Sequence, residues 1–328
     1  MKNVFRLAAF ALATVIFLTA VSIVFDGGYW FSKGYIMDRN ARNAEITTET
    51  PGQIDVLNLG DSLSTSALTP LELYRDYGIT SFNLGEDMQY TKEVYYALKL
   101  ALRTQPIKVL LLEAGTLYHD HDSLEEAQIG LSEFWESKFP AFRYHNLWKM
   151  LFRKKGFRVY YKGFLVNEGL DPYVGERYYN TDNENRYPMD KDQKDDFDRI
   201  YRLCQENNIK LVLYSAASPV TYFYAMHNSI ADLAEEYGID YLDANLDIDL
   251  VGIDWETDTH DNGDHLNLFG TRKMTVYLGN YLRDNCDLPD HRSDPAYQEW
   301  TDLLVPYEQT IEEMRGTYYS ELEDLLGY

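Results

Sequence analysis

Between residues 52 and 287, short unbroken apolar runs alternate with segments whose apolar residues return every three to four positions. The unbroken runs are "IDVLNL" (54–59), "SFNLG" (81–85), "IKVLLLEA" (107–114), "IKLVLYSA" (209–216) and "IDYLDA" (239–244). Each is too short for a core helix, so each predicts a buried strand. The periodic segments are "TPLELYRDYG", closed by Gly78, and "TKEVYYALKLALRTQP", closed by Pro106. Stretches around 190–207 and 221–237 and "FGTRKMTVYLGNYLRDN" (269–285) complete the set. These predict helices with ordinary stop signals. Unbroken apolar strands separated by helices are the pattern of an α/β sandwich, a parallel sheet covered on both faces.

Two stretches interrupt that rhythm. Residues 116–189 lack a clean period and are rich in aromatics, which predicts an insertion. From Ser137 to Phe164 this insertion carries Lys138, Arg143, Lys149, Arg153, Lys154, Lys155, Arg158 and Lys162 with no Asp or Glu. Trp148, Phe152, Phe157, Tyr160 and Tyr161 lie between them. The local reversal of sign fits a surface for phosphate headgroups, an anionic polymer or a membrane partner, with a solvated basic helix as the plainer alternative. After Asp290, Trp300, Leu304, Tyr307, Ile311, Met314, Tyr318, Leu322 and Leu325 recur at helical spacing. They predict a C-terminal amphipathic helix within 291–328, packed on its own domain rather than docked on another protein.

The N-terminus adds a membrane. From Leu7 to Phe25 nineteen residues carry no charge, with Lys2 and Arg6 before them and Asp26 after. The run is longer than the apolar region of a usual signal peptide, is apolar on every face and precedes no small-x-small cleavage site. The expectation is a transmembrane anchor over 1–26, with a cleaved signal as the alternative. The flanking cations place the N-terminus in the cytoplasm and the remainder outside it, as a single-pass protein of the cell membrane. Residues 27–50 then read as a polar stalk and 51–290 as the main domain, containing the insertion.

Composition narrows the chemistry. The formal charge of −23 excludes general nucleic-acid binding, which needs a basic face. Two cysteines, Cys204 and Cys286, make no disulfide framework and no zinc site; two buried free thiols are expected, one disulfide being the alternative. "YHDHD" (118–122) gathers two histidines and two aspartates, but neighbouring side chains of one loop rarely converge on an ion, so a solvated loop is expected there. No metal and no other cofactor is expected.

Ser62 carries the candidate chemistry. It follows the first strand directly, in "LGDSLSTSAL", and ligands of open parallel sheets bind at the carboxyl ends of strands. A serine hydroxyl needs a base, and His265 in "DTHDNGDHLNLFG" stands in a polar loop before the last helix, flanked by Asp258, Asp261 and Asp264. A turn serine is the plainer alternative.

"GDSL" at Gly60–Leu63 together with "DHLN" at Asp264–Asn267 resembles the SGNH/GDSL hydrolase superfamily, over residues 52 to about 287. The resemblance implies a flavodoxin-like sandwich of five parallel strands, with Ser62 as nucleophile and His265 as base. It also implies oxyanion donors from the backbone of Ser62 and Gly85. Two positions depart from the family. Its third block has Gly-x-Asn-Asp, whose Asn completes the oxyanion hole, whereas "EAGTLYHD" puts Leu117 there; Gln89 or a backbone amide is the expected substitute. Asp61, beside the nucleophile, joins the expected oxyanion and substrate-binding set. The family's Asp stands three residues before the His, and here that position is Asn262. Asp261 is the expected third member, since a side chain as close as Asp264 would point away from His265.

With its anchor, its altered third block and its aromatic insertion, the chain resembles the membrane-anchored branch of that superfamily. That branch includes the teichoic-acid D-alanyl transfer protein and the alginate and peptidoglycan O-acetyltransferases. The resemblance implies acyl transfer on a cell-envelope polysaccharide beside a multi-span membrane acyltransferase. The alternatives are a carbohydrate esterase and a non-catalytic glycan-binding or scaffold protein.

Overall fold

Each of the five apolar runs forms a strand, and each periodic segment a helix. The computed structural model describes residues 2–36, 39–119, 123–152, 159–167, 169–179 and 181–326. In chain order the first elements are α1 (Lys2–Val24), α2 (Gly27–Ser32), α3 (Ala41–Glu45), β1 (Val56–Leu59), α4 (Ser62–Thr65) and α5 (Pro70–Tyr77). Then come β2 (Ser81–Asn83), α6 (Thr91–Ala101), β3 (Val109–Glu113), α7 (Ser123–Lys138), α8 (Pro140–Arg143), β4 (Tyr160–Tyr161) and β5 (Phe164–Leu165). The rest are α9 (Lys191–Glu206), β6 (Lys210–Ser215), α10 (Tyr224–Tyr237), β7 (Asp240–Asp243) and α11 (Ile248–Val251), then β8 (Thr259–His260), β9 (His265–Leu266), α12 (Leu268–Asn285) and α13 (Gln298–Leu326).

The chain divides into two compact units: residues 1–49 with 121–158, and residues 50–120 with 159–328. That division differs from the boundaries read in the sequence. The insertion does not stay together, because residues 159–189 return to the sheet-bearing unit while 121–158 join the N-terminal segment. Nor are residues 27–50 a bare stalk. α2, α3 and the 3-10 turn at 46–48 pack on one another, so closely that a Cβ on Gly28 would lie 2.6 Å from Thr47 Oγ1.

In the larger unit, five parallel strands run in the order β2-β1-β3-β6-β7. Leu57 of β1 pairs with Phe82 of β2 on one side and Leu110 of β3 on the other, and Leu111 pairs with Val212. All of these are buried, each such side chain contributing about 1.5–3 kcal/mol of transfer free energy. Right-handed crossovers put α5 on one face; the chain then reverses direction across the sheet, which puts α6, α9 and α10 on the other. The reversal lies between β1 and β3, the crevice where open α/β sheets take ligands. On the first face α5 packs against α12 and α13. Thr69 and Pro70 start α5, and Gly78, with φ of 72°, ends it.

α13 is part of this unit's core, as the periodicity of its first half predicts. Trp300 and Tyr307 are wholly buried, Trp300 lying 5.5 Å from Tyr74 and the Tyr307 hydroxyl donating to Glu72. The side chains of Tyr318, Leu322 and Leu325 lie outside those described. Trp300→Ala is expected to cost about 3–5 kcal/mol by the cavity it leaves, read as a lowered denaturant midpoint; an unchanged midpoint would detach α13 from the core. Both cysteines are free thiols, Cys204 buried in α9 and Cys286 half-buried at the end of α12.

Candidate active site

The turn that carries Ser62 is shaped by Asn58, Asn83, Gly60 and Asp61. Asn58, inside apolar β1, donates its amide to the Ser64 carbonyl at 2.9 Å, and Asn83 of β2 donates to the same oxygen at 3.2 Å. Gly60 has φ of 139°, and a Cβ there would lie 2.5 Å from the Glu113 Cβ, so the turn tolerates no side chain. Asp61 then caps α4, its Oδ1 accepting the Leu63 N–H at 2.9 Å. α4 is a single turn. The hydroxyls that follow Ser62 are structural. Ser64 donates to the Asp61 carbonyl at 2.6 Å, Thr65 to the Ser62 carbonyl at 2.8 Å, and Ser66 to the Leu63 carbonyl at 3.2 Å.

Ser62 Oγ lies 2.7 Å from His265 Nε2, 203 residues away. His265 sits on a two-stranded hairpin in which β8 pairs with β9, His260 directly opposite His265. The connecting turn is left-handed at three successive residues, with φ of 46° at Asp261, 59° at Asn262 and 85° at Gly263. Asp and Asn tolerate that region better than most residues, and the Asn262 N–H is held by Asp171 Oδ2 at 2.7 Å. The turn folds Asp261 back on the histidine: Oδ1 accepts the His265 backbone N–H at 3.1 Å and Oδ2 faces Nδ1 at 2.8 Å. This curl is why a carboxylate four residues upstream, not three, reaches the imidazole. Asp264 Oδ2 lies 3.6 Å from the same nitrogen, outside hydrogen-bond range. Facing a carboxylate, Nδ1 carries the proton, and Nε2 offers its lone pair to the Ser62 hydroxyl. The "HLN" context around the base is also structural, for Leu266 is buried and Asn267 caps α12 by accepting the Phe269 N–H at 3.0 Å.

Two residues unread in the sequence complete this hairpin. The His260 ring stacks on His265 with centroids 5.6 Å apart, and its Nδ1 lies 3.4 Å from Asp261 Oδ1. Asn167 fixes the His260 tautomer: its Oδ1 takes the Gly169 N–H at 2.9 Å, so its Nδ2 donates to His260 Nε2 at 2.7 Å. The proton of His260 is thereby left on Nδ1, toward Asp261. Burial lowers the His260 pKa, against the pull of Asp261, so the ring stays neutral beside the base. His260, Asp261 and His265 bring one ligand atom each within 4.8 Å of one another. A metal there would compete with the hydrogen bonds just described.

On the oxyanion side, Gly85 lies against the nucleophile turn, since a Cβ on it would strike the Ser64 side chain. The N–H groups of Ser62 and Gly85 and the Gln89 Nε2 make no hydrogen bond among the described residues. Gln89 Oε1 accepts the Gly60 N–H at 3.2 Å, which fixes the amide beside the turn. Leu117 is fully buried in the 3-10 turn Ala114–Tyr118 and donates nothing. Both oxygens of Asp61 have partners within the protein, Oδ1 the Leu63 N–H and Oδ2 the His119 Nε2 at 2.8 Å, a role as cap and turn support that the sequence did not indicate. His119 therefore has a structural partner, whereas Asp120, His121 and Asp122 of the same motif lie outside the described residues, as do Arg153, Lys154, Lys155, Phe157 and Arg158 of the basic run. Beneath Asp61, Glu113 is wholly buried and accepts from the Gly115 N–H, the Ala216 N–H and the Tyr222 hydroxyl. Burial, and then the neighbouring Asp61, push its pKa well up.

No protein-family model matches this chain, and no curated protein matches it either. The remaining described histidines lie elsewhere: His145 Nδ1 meets the Phe142 carbonyl at 2.6 Å, His227 Nδ1 meets Asp243 Oδ2 at 2.7 Å, and His291 meets Asp55 at 2.7 Å while stacking on Tyr297.

Proposed function

We propose that the chain is a membrane-anchored serine acyl-enzyme of the SGNH type. It would transfer O-acyl groups to or from a cell-envelope polysaccharide outside the cytoplasm. The observation that carries the reading is the Ser62–His265–Asp261 line, with heavy-atom separations of 2.7 and 2.8 Å. Ser62 Oγ attacks an acyl carbonyl while His265 Nε2 takes its proton, and the same proton then goes to the leaving oxygen. In the second half a glycan hydroxyl gives its proton to His265, attacks the seryl ester and restores Ser62. The Ser62 and Gly85 N–H groups, joined by Gln89 Nε2, are the donors for the charge developing on the carbonyl oxygen. α1 is long and apolar enough to cross a bilayer, which supports the anchor; a multi-span membrane acyltransferase is the donor partner of this proposal. With water as acceptor the same steps give an esterase.

Leu117, buried where a third oxyanion donor would stand, favours a second reading in which the fold binds glycan without catalysis. Intact-mass analysis of the full chain in detergent, after p-nitrophenyl acetate or a fluorophosphonate, separates the two. One adduct per chain supports the acyl-enzyme; a folded chain that binds glycan and takes no adduct supports the other reading.

Asn167→Asp tests whether His260 takes part in the proposed proton transfer. An aspartate there accepts the Nε2 proton of His260, stabilises its imidazolium and places a cation beside His265. Like charges about 5–6 Å apart repel by at most about 3 kcal/mol at an effective dielectric of about 20. Because charging His260 disfavours the His265 imidazolium needed in the transition state, activity is lost as pH falls through the raised His260 pKa. The acid limb of the pH–rate profile is expected to move to higher pH by about one unit; an unmoved limb would show His260 to be a bystander.

A further inference from the structure

In the smaller unit, α1 does not stand alone. The Ala141 N–H at α8 donates to Ser22 Oγ at 3.3 Å, and Leu18 helps line a cavity of about 590 Å³ whose other walls include Leu131, Trp135 and Phe142. Leu131 is 60% exposed, and Trp135 and Phe142 are more than 40% exposed. At the end of α1, Trp30 donates its indole N–H to the Val24 carbonyl at 2.7 Å and meets Tyr29 and Tyr35 edge-on. Tyrosine and tryptophan gathered at the end of an apolar helix mark headgroup level.

The rise of the helix turns this arrangement into a depth. The apolar run ends at Phe25 and, at 1.5 Å per residue, Leu18 lies about 10 Å and Ser22 about 4–5 Å below that end. The nineteen-residue run is about 28 Å long, roughly the hydrocarbon thickness, so no slack lets those residues rise clear of it. Whatever touches Leu18 and Ser22 is therefore at the same depth. Two acids in the second half of α7 are prepared for it, as Arg143 pairs with Glu133 at 2.6 Å and with Glu136 at 3.3 Å, while Glu125 and Glu126 lie in its first turn, farther from α8. Lys138 lies over Phe134 and Lys149 over Trp148, cations on aromatic rings where phosphates would lie.

We infer that α7 and α8 are immersed in the outer leaflet beside α1, with the cavity between Leu18, Leu131, Trp135 and Phe142 filled by the acyl chain of a bilayer phospholipid. The inference rests on the membrane-anchored reading above. It makes residues 123–143 a lipid-embedded foot, at the depth typical of interfacial helices.

The test uses the full chain in vesicles of phosphatidylcholine with a minor share of phosphatidylglycerol. Single nitroxides replace Leu131, with Leu12 in α1 and Leu250 in the larger unit as references, all three exposed. Cys286→Ser removes the half-buried thiol, while burial pushes the Cys204 thiol up to about 12 and leaves it unlabelled. The expected result is that the ratio of oxygen to nickel-chelate collisions at Leu131 shifts to that of Leu12, away from that of Leu250. A water-like ratio at Leu131 with a lipid-like ratio at Leu12 overturns the inference and leaves the anchor standing. Low collision with both reagents at Leu131 means that protein covers the cavity, and overturns it too. A water-like ratio at Leu12 overturns the anchor and the inference together. Independently, quenching of full-chain fluorescence by dibrominated lipid should fall in Trp135→Phe; unchanged quenching counts against the inference.

Discussion

Ser62→Ala is expected to abolish the covalent adduct and to cut ester turnover by about 10⁴- to 10⁶-fold. The size follows from how completely the site depends on one oxygen. Ser64, Thr65 and Ser66 are close by, but each already donates its hydroxyl to a carbonyl of the same turn, and none meets a histidine. None of them can substitute. The variant should also fold normally, because Asp61 and Gly60, not the Ser62 side chain, shape the turn. Adduct formation at the wild-type rate in Ser62→Ala would move the nucleophile elsewhere and remove the basis of the proposed function.

The second large effect separates two carboxylates that the sequence leaves side by side. Asp261→Asn is expected to lower turnover by about 10⁴-fold, because an amide favours the wrong imidazole tautomer and cannot stabilise the imidazolium. Asn also tolerates the left-handed φ of 46° at this position, so the substitution tests charge rather than backbone. Asp264→Asn removes a carboxylate 3.6 Å from the same nitrogen and half-exposed to water, and is expected to change turnover by less than about threefold. Steady-state rates of both variants on one ester decide the matter. Equal losses would mean that the two acids share the role.

Much of this architecture is legible in the chain because parallel strands buried on both faces leave unbroken apolar runs. β1, β3 and β6 stand out for that reason. Ser62 is legible because it follows a buried strand directly, and His265 because it leaves a polar turn just before the last helix of the sandwich. Other features depend on tertiary choices that leave no periodic trace. Asn167 comes from a stretch without any pattern, and nothing local says that it will meet a histidine 93 residues on. The spacing from Asp261 to His265 makes sense only once three successive left-handed residues curl the backbone. Asp61 looks like a site residue in sequence and becomes a cap when His119 takes its second oxygen. The split of the insertion at residue 158 is likewise a matter of which unit each half packs on.

The hairpin has a further consequence. His265, Asp261 and the stacked His260 all ride on one short excursion from the chain, paired by only two residues per strand. Ser62, by contrast, is fastened to the sheet. Elements with so few ladder bonds open at a fraction of the global unfolding free energy. Such an opening separates the two halves of the machinery while the five-stranded sheet stays intact. Under the proposed function, activity is expected to be lost on warming before the sheet melts, read as an inactivation midpoint below the unfolding midpoint.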